Sequence, residues 1–379
     1  MGRKAKVLRD EGFHVDVLCW DRSGSRKAKE ELFGVSVHNF KIGRSRILAD
    51  SRVWYAVSAM ILQMAILATA TAHLRDSRKL VLYSHDFSTL VGSMLVKLFF
   101  YNRVTLVYDL HEFSPGSYLE WYGPSIAKVV SRLEYLGLGL ADGVVICNEA
   151  LAGYVSKITG VQIATVYNCP AIAEIPSVSP SNAKALMKLE DRFVILFAGK
   201  VRQEYDTEML ITAAKQLSAI KPNSFTVVIV GPDSTLSPFA RRVVQEGLSS
   251  VFDFRGWLEY SNLLILYKAS DLCYAVSSNS GPNSNLLLPV KMFEAMACGV
   301  PVVVREGTSG AKIVQHAEAG PVIDPDETDL TRVIIELQAS PEVRRIFHEG
   351  GINAFSSTYN WDIMRGRLVG LFSKFKDVV

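Results

Sequence analysis

The sequence predicts two α/β domains in tandem, each a parallel sheet doubly wound by helices on both faces. Short β-branched apolar runs alternate with helical stretches along the whole chain, and strand–helix alternation builds parallel sheets. The alternation breaks at 168–183, NCPAIAEIPSVSPSNA, where Pro170, Pro176 and Pro180 sit among serines and read as an interdomain linker. The chain has 379 residues, 49% apolar and 21% charged, enough for two sizeable cores.

In the first half, Val15–Cys19 and Val35–Phe40 read as strands, and a long apolar helix covers 53–74. Strands follow at Leu80–Ser84, Val104–Tyr108, Gly143–Cys147 and near Ala164–Tyr167, with helices at Ser88–Phe100, near Ser125–Leu140 and from Asn148. The second half restarts with strands Phe193–Ala198, Phe225–Val230, Val251–Phe254 and Leu272–Val276, interleaved with helices Thr207–Ile220, Ser237–Leu248 and Ser261–Ala269. Strands Val300–Val304 and Val322–Asp324 follow, then helices near Thr328–Ala339, Glu342–Ser357 and Trp361–Phe375. The expected domains are 1–172 and 173–357, with a C-terminal helix in 358–379 packing back on the first. Tandem doubly wound domains usually hold a ligand in the cleft between them, at the carboxyl ends of the strands.

The chain opens MGRKAKVLRDEGFHVDVLCW. Arg3–Asp10 reads as a helix stopped by Gly12, with no strand or glycine loop ahead of it. The expectation is therefore that the first strand, between Val15–Cys19 and Leu80–Ser84, is missing from an N-terminally shortened chain lacking roughly 15–20 residues.

Net charge is +3, too mild to argue for nucleic acid. Residues 1–52 hold twelve basic and seven acidic side chains, a face that suits either solvent or an anionic membrane surface. The five cysteines form no Cys-x-x-Cys pair and sit mostly in apolar runs, which suits reduced thiols, a cytoplasmic setting and no structural zinc. Val53–Leu74 has no Lys, Arg, Asp or Glu over 22 residues and could span roughly 33 Å. The stretches on either side read as strands of one sheet, so it reads as a buried or membrane-touching helix, and peripheral membrane association is expected.

The densest motif is LPVKMFEAMACGVPVVV, 288–304. Pro289 suits a helix start, Gly299 its end, and Pro301 prevents continuation into the strand Val300–Val304. Lys291 and Glu294 lie one turn apart in the first turns, where free N–H groups and the helix dipole favour an anion. Lysine on phosphate and glutamate on hydroxyls describe a nucleotide site; a surface i,i+3 ion pair is the other reading.

With these motifs in view, the sequence resembles the GT-B glycosyltransferases, two tandem Rossmann-like domains, and within them glycosyltransferase family 4. The likeness runs through 80–98 (LVLYSHDFSTLVGSMLVKL), 140–160 (LADGVVICNEALAGYVSKITG), 195–217 (ILFAGKVRQEYDTEMLITAAKQL) and 288–304. It implies transfer of a sugar from a nucleotide-diphosphate donor to a glycan or lipid-linked acceptor, usually with retention and with no cofactor and no bound metal. Lys291 then meets the donor phosphates and Glu294 the ribose hydroxyls. The family's first motif glutamate falls on Leu286, and the loop GPNSNLLLP puts Asn283 and Asn285 in reach of the hexose. Gly199 and Lys200 open the phosphate site; a second basic residue falls on Tyr205, with Arg202 as a stand-in. His85 matches the family's active-site histidine and Asp86 could orient its ring; a His-Asp helix cap is the other reading. His111 and Glu112 could line the acceptor side, and Gly231 and Gly310 end strands where backbone approaches the nucleotide, or simply turns. Two rival functions remain open at this point: a non-hydrolysing sugar-nucleotide epimerase, and a non-catalytic partner subunit, which Leu286 and Tyr205 favour.

Overall fold

The computed structural model describes residues 2–21, 24–41, 52–76, 79–201, 206–278, 283–286, 288–324 and 327–378. The chain divides into two compact units, one of residues 1–167 and 364–379, the other of 168–363. The cuts fall at Tyr167/Asn168 and Ile363/Met364 rather than after 172 and 357.

The first unit opens with helix α1 (Gly2–Asp10), strands β1 (Asp16–Trp20), β2 (Lys29–Leu32) and β3 (Val35–Phe40), and the long helix α2 (Arg52–Asp76). Then come β4 (Leu80–His85), α3 (Phe87–Phe99), β5 (Val104–Leu110), α4 (Ser114–Tyr122), α5 (Pro124–Leu140), β6 (Gly143–Ile146), α6 (Ala152–Val155) and β7 (Ile163–Thr165). Here the expected single sheet is two: β1-β3-β2 and the all-parallel β4-β5-β6-β7. Among the described residues no strand joins β1 to β4. A cavity of about 280 Å³ lies between them, lined by Leu8, Val17, Leu62 and Leu82 with Lys4 and His85. The buried face of α2, Leu62, Ile66, Ala70 and Leu74, spans both sheets by packing on Leu18 and Trp20 from one and Leu80 and Leu82 from the other. β2, with sequence KEEL, escaped the sequence reading because its mostly exposed polar residues show no apolar alternation. The helix expected near Ser125–Leu140 is preceded by a second one, α4; Gly123, with φ 84, makes the corner and Pro124 starts α5.

The second unit runs α7 (Pro180–Met187), β8 (Phe193–Ala198), α8 (Thr207–Ile220), β9 (Phe225–Val230), α9 (Asp233–Gln245), β10 (Phe252–Gly256), α10 (Tyr260–Lys268) and β11 (Leu272–Tyr274). It continues α11 (Val290–Cys298), β12 (Val302–Arg305), α12 (Ser309–His316), β13 (Val322–Ile323), α13 (Glu327–Ala339) and α14 (Pro341–Ser357); α15 (Trp361–Phe372) carries the chain back into the first unit. The sheet order is β10-β9-β8-β11-β12-β13, the doubly wound 3-2-1-4-5-6 arrangement, whose order reverses between β8 and β11. All side chains of β8 and β9 are buried because helices cover both faces. Side-chain caps start the helices around them: Asp206 accepts from Met209 N–H (3.0 Å), Thr308 from Ala311 N–H (3.1 Å) and Ser179 from Asn182 N–H (3.3 Å).

Candidate active-site residues in each unit

In the second unit the site grows from the sheet's switch point. β8 ends at Ala198 and the chain turns through Gly199, whose φ of 127 is a backbone state that disfavours any side chain. A Cβ there would sit 3.8 Å from the Lys291 side chain, so β8's end and α11's first turn face one another. α11 starts at Val290 with Pro289 as its N-cap, one residue later than the sequence suggests, and ends at Gly299 with φ 69. Lys291 is 5% exposed and Glu294 8%, so they are not a surface ion pair. The Lys291 ammonium lies 3.6 Å from the centre of the Phe197 ring. Burial lowers its pKa to about 7, against which the nearby Cys273 and Glu294 act. Glu294 accepts a hydrogen bond from Tyr267 Oη at 2.9 Å, which fixes its rotamer.

Lys200 is exposed beyond Gly199, and Arg202 and Tyr205 lie outside the described residues. Asn283 is half-buried at the start of a short 3₁₀ turn; Asn285 is exposed, and its carbonyl accepts from Ser309 Oγ at 3.2 Å. Gly231 follows β9 and gives its N–H to the Gly256 carbonyl (2.9 Å), a turn contact. Gly310 is buried in the first turn of α12; Gly307, in the turn between β12 and α12, has φ 77 and is the glycine there whose backbone disfavours a side chain. Arg305 escaped the sequence reading: buried at the end of β12, its guanidinium donates to the Ser277 carbonyl at 3.1 Å.

In the first unit, two strands and a helix deliver one network. Asp109, fully buried on β5, is its hub. Lys4 Nζ reaches both its oxygens (3.0 and 2.7 Å) from α1. Tyr83 Oη donates to Oδ2 at 2.6 Å, and His85 Nδ1 lies 2.9 Å from the same oxygen. His111 Nε2 lies 3.2 Å from Oδ1. Burial would push the Asp109 carboxyl up, but the adjacent His111 and His85 rings, together with the Lys4 charge, hold it well below the usual carboxylate range. An ionised Asp109 makes His85 Nδ1 the protonated nitrogen and leaves Nε2 for chemistry. The two imidazoles are neighbours, their centres 4.2 Å apart.

The carboxylate on His85 is Asp109, not Asp86. Asp86, at φ 62, precedes α3 without a side-chain capping bond, and its backbone N–H donates to the Asp109 carbonyl at 3.0 Å. The basic N-terminal face is also less free than its sequence suggests, since Lys4 is 4% exposed. Glu112 is exposed beside His111. Lys4, Tyr83 and Asp109 were missed because their contacts join positions up to 105 residues apart. The one legible hint was Asp109's place in YDLHEF, two residues before a histidine. Another buried carboxyl, Glu134, accepts from Tyr108 (3.1 Å) and Tyr154 (3.2 Å), and burial raises it to about 7.

A buried cation at a helix start on the 3-2-1-4-5-6 sheet of one unit, and a carboxylate-held histidine at the end of a parallel strand of the other, are the candidate site groups of a two-domain α/β protein. The profile described as glycosyl transferases group 1 matches residues 179–354, and that of the glycosyl transferase 4-like domain matches residues 1–169. The chain belongs to the group 1 glycosyltransferases, family 4, with the GT-B fold. It is 23% identical over 244 residues to an uncharacterized glycosyltransferase of Methanocaldococcus jannaschii, covering 64% of this chain and 59% of that one. It is 31% identical over 170 residues to the GDP-mannose-dependent monoacylated alpha-(1-6)-phosphatidylinositol monomannoside mannosyltransferase of Corynebacterium glutamicum, covering 43% and 42%. The matches thus span about half the length of these two relatives. The sucrose-phosphate synthase of Thermosynechococcus elongatus superposes with a TM-score of 0.80 at 17% identity, over 100% of this chain and 92% of its own.

Proposed function

We propose that this protein transfers a sugar from a nucleotide-diphosphate donor to a glycan or lipid-linked acceptor at the cytoplasmic face of a membrane, with retention and without a metal ion. The observation that carries the proposal is Lys291: a lysine buried at a helix N-terminus, 3.8 Å from where a Gly199 side chain would be. A diphosphate brings two negative charges to that ammonium and to the N–H groups at the start of α11. Glu294, held by Tyr267, supplies a carboxylate for ribose hydroxyls.

In transfer, Lys291 and the helix start stabilise the departing diphosphate, the part played elsewhere by a metal. His85, oriented by Asp109, contacts the transferring sugar through Nε2. The Asp109 oxygens already take Lys4, Tyr83 and His85, which supports chemistry without a metal at the His85–Asp109–His111 cluster. The lipid-linked acceptor draws on the phosphatidylinositol mannoside in the name of the Corynebacterium relative. A non-catalytic partner subunit is the second reading, favoured by Leu286 at the family's glutamate position. Calorimetric titration with GDP-mannose and UDP-glucose, followed by product release in chelator, separates the two. Donor binding that is lost in Lys291→Ala and Glu294→Ala supports the enzyme; no binding of any nucleotide sugar supports the subunit.

A further inference from the structure

One face of the first unit is unusually apolar. α2 is long and apolar enough to cross a bilayer, with a mean hydropathy of 1.6 over Val57–Asp76. One side of it is committed to the protein: Leu62, Ile66, Ala70 and Leu74 are in the core. Gln63 ties it to α3, donating to the Ser88 carbonyl (2.9 Å) and accepting from Gly92 N–H (2.6 Å). The opposite side, Val57, Met60, Ile61 and Met64, repeats at helical spacing and faces outward, Met60 being 70% exposed. A helix apolar on every side needs an apolar neighbour on every side.

The neighbouring helices continue the pattern. α3 packs on both α2 and α5. Its outward residues are Leu95, Leu98 and Phe99, the last 69% exposed. On α5 they include Ile126, Val129 and Leu136, interleaved with the exposed Lys128 and Arg132. α4, packed on α5, adds the exposed Trp121. No exposed residue of α3 or α5 is acidic.

We propose that the outer faces of α2, α3 and α5 form a docking surface for an anionic lipid bilayer, with α2 lying in the membrane plane rather than across it. The proposal deepens the membrane contact in the reading above and extends it from the 53–74 helix to α3 and α5, which the sequence did not suggest. The composition fits a bilayer: flexible methionines and leucines for the acyl region, a tryptophan and two cations for the headgroups. On a second copy docked face to face, the exposed sides of α3 and α5 would offer Lys128 and Arg132 no acidic partner.

The test is co-sedimentation with vesicles of phosphatidylcholine alone and of equal parts phosphatidylcholine and phosphatidylglycerol. Wild type is expected to bind the anionic vesicles. Leu98→Glu with Phe99→Glu is expected to lose at least tenfold, and Lys128→Gln with Arg132→Gln about fivefold per charge, on anionic vesicles only. Val244→Glu, equally exposed in the second unit, is the control and should bind as wild type. Wild type that stays in the supernatant, or face variants that bind like wild type, overturns the proposal. So does a concentration-dependent dimer in sedimentation velocity that Leu98→Glu with Phe99→Glu abolishes without any vesicle binding. Donor titration on the same samples keeps the two readings apart: a protein that binds nucleotide sugar but no vesicle sinks this surface and leaves the enzyme standing.

Discussion

Replacing Lys291 by methionine should make the protein more stable and less able to bind its donor. Methionine keeps the length and apolar stem and removes the charge. Burial takes the Lys291 pKa from its ordinary 10.5 to about 7, equivalent to roughly 5 kcal/mol between charged and neutral forms in the folded state. That difference is the cost of holding the charged lysine in the folded chain below pH 7, with the Phe197 ring 3.6 Å under the ammonium. Between pH 7 and about 10 the unfolded chain holds this proton and the folded chain does not. Stability from this residue therefore rises with pH across that window and is flat below it. The advantage of Lys291→Met should be largest near pH 6, several degrees in Tm, and should shrink toward pH 10. Donor binding moves the other way. A diphosphate prefers the charged lysine, so wild-type affinity is expected to fall as pH rises above 7, by up to about tenfold per unit. The methionine variant should bind at least tenfold more weakly at pH 6 and show no such slope. Calorimetry with a nucleotide sugar, whose phosphates do not titrate in this range, and thermal melts over pH 6–9 measure both. A variant that binds like wild type, or that melts lower at pH 6, refutes the reasoning.

His85→Ala is expected to lower kcat far more than donor affinity, as for an interaction made mainly in the transition state, which steady-state kinetics reads directly. Asp109→Ala strands the buried Lys4 charge and should cost about 3–5 kcal/mol in urea melts, whereas the double variant with Lys4→Met should recover much of it. Gly199→Ala places a side chain at φ 127 and should cost about 1–3 kcal/mol in the same melts. Cys273 and Cys298 are buried and pushed up to about 12, so iodoacetamide at pH 8 should label neither until the chain is denatured, as mass spectrometry would show.

The sequence by itself determined what depends on neighbours along the chain. β8, β9 and β12 were legible because a strand buried on both faces needs an unbroken apolar run. α11 was legible because Pro289 and Gly299 bracket it, and with it the spacing of Lys291 and Glu294. Tertiary structure alone decided what depends on distance across the fold. It buried Lys291 against Phe197, which turns an apparent surface lysine into one that titrates near neutrality. It gave His85 the carboxylate of Asp109, 24 residues on, instead of that of its neighbour Asp86. It also parted the first unit's strands into two sheets and left one side of α2 facing outward. The physical reason is common to all four. Hydrophobic periodicity and capping are local, but desolvation and charge pairing belong to a place in space, and folding decides which residues meet there.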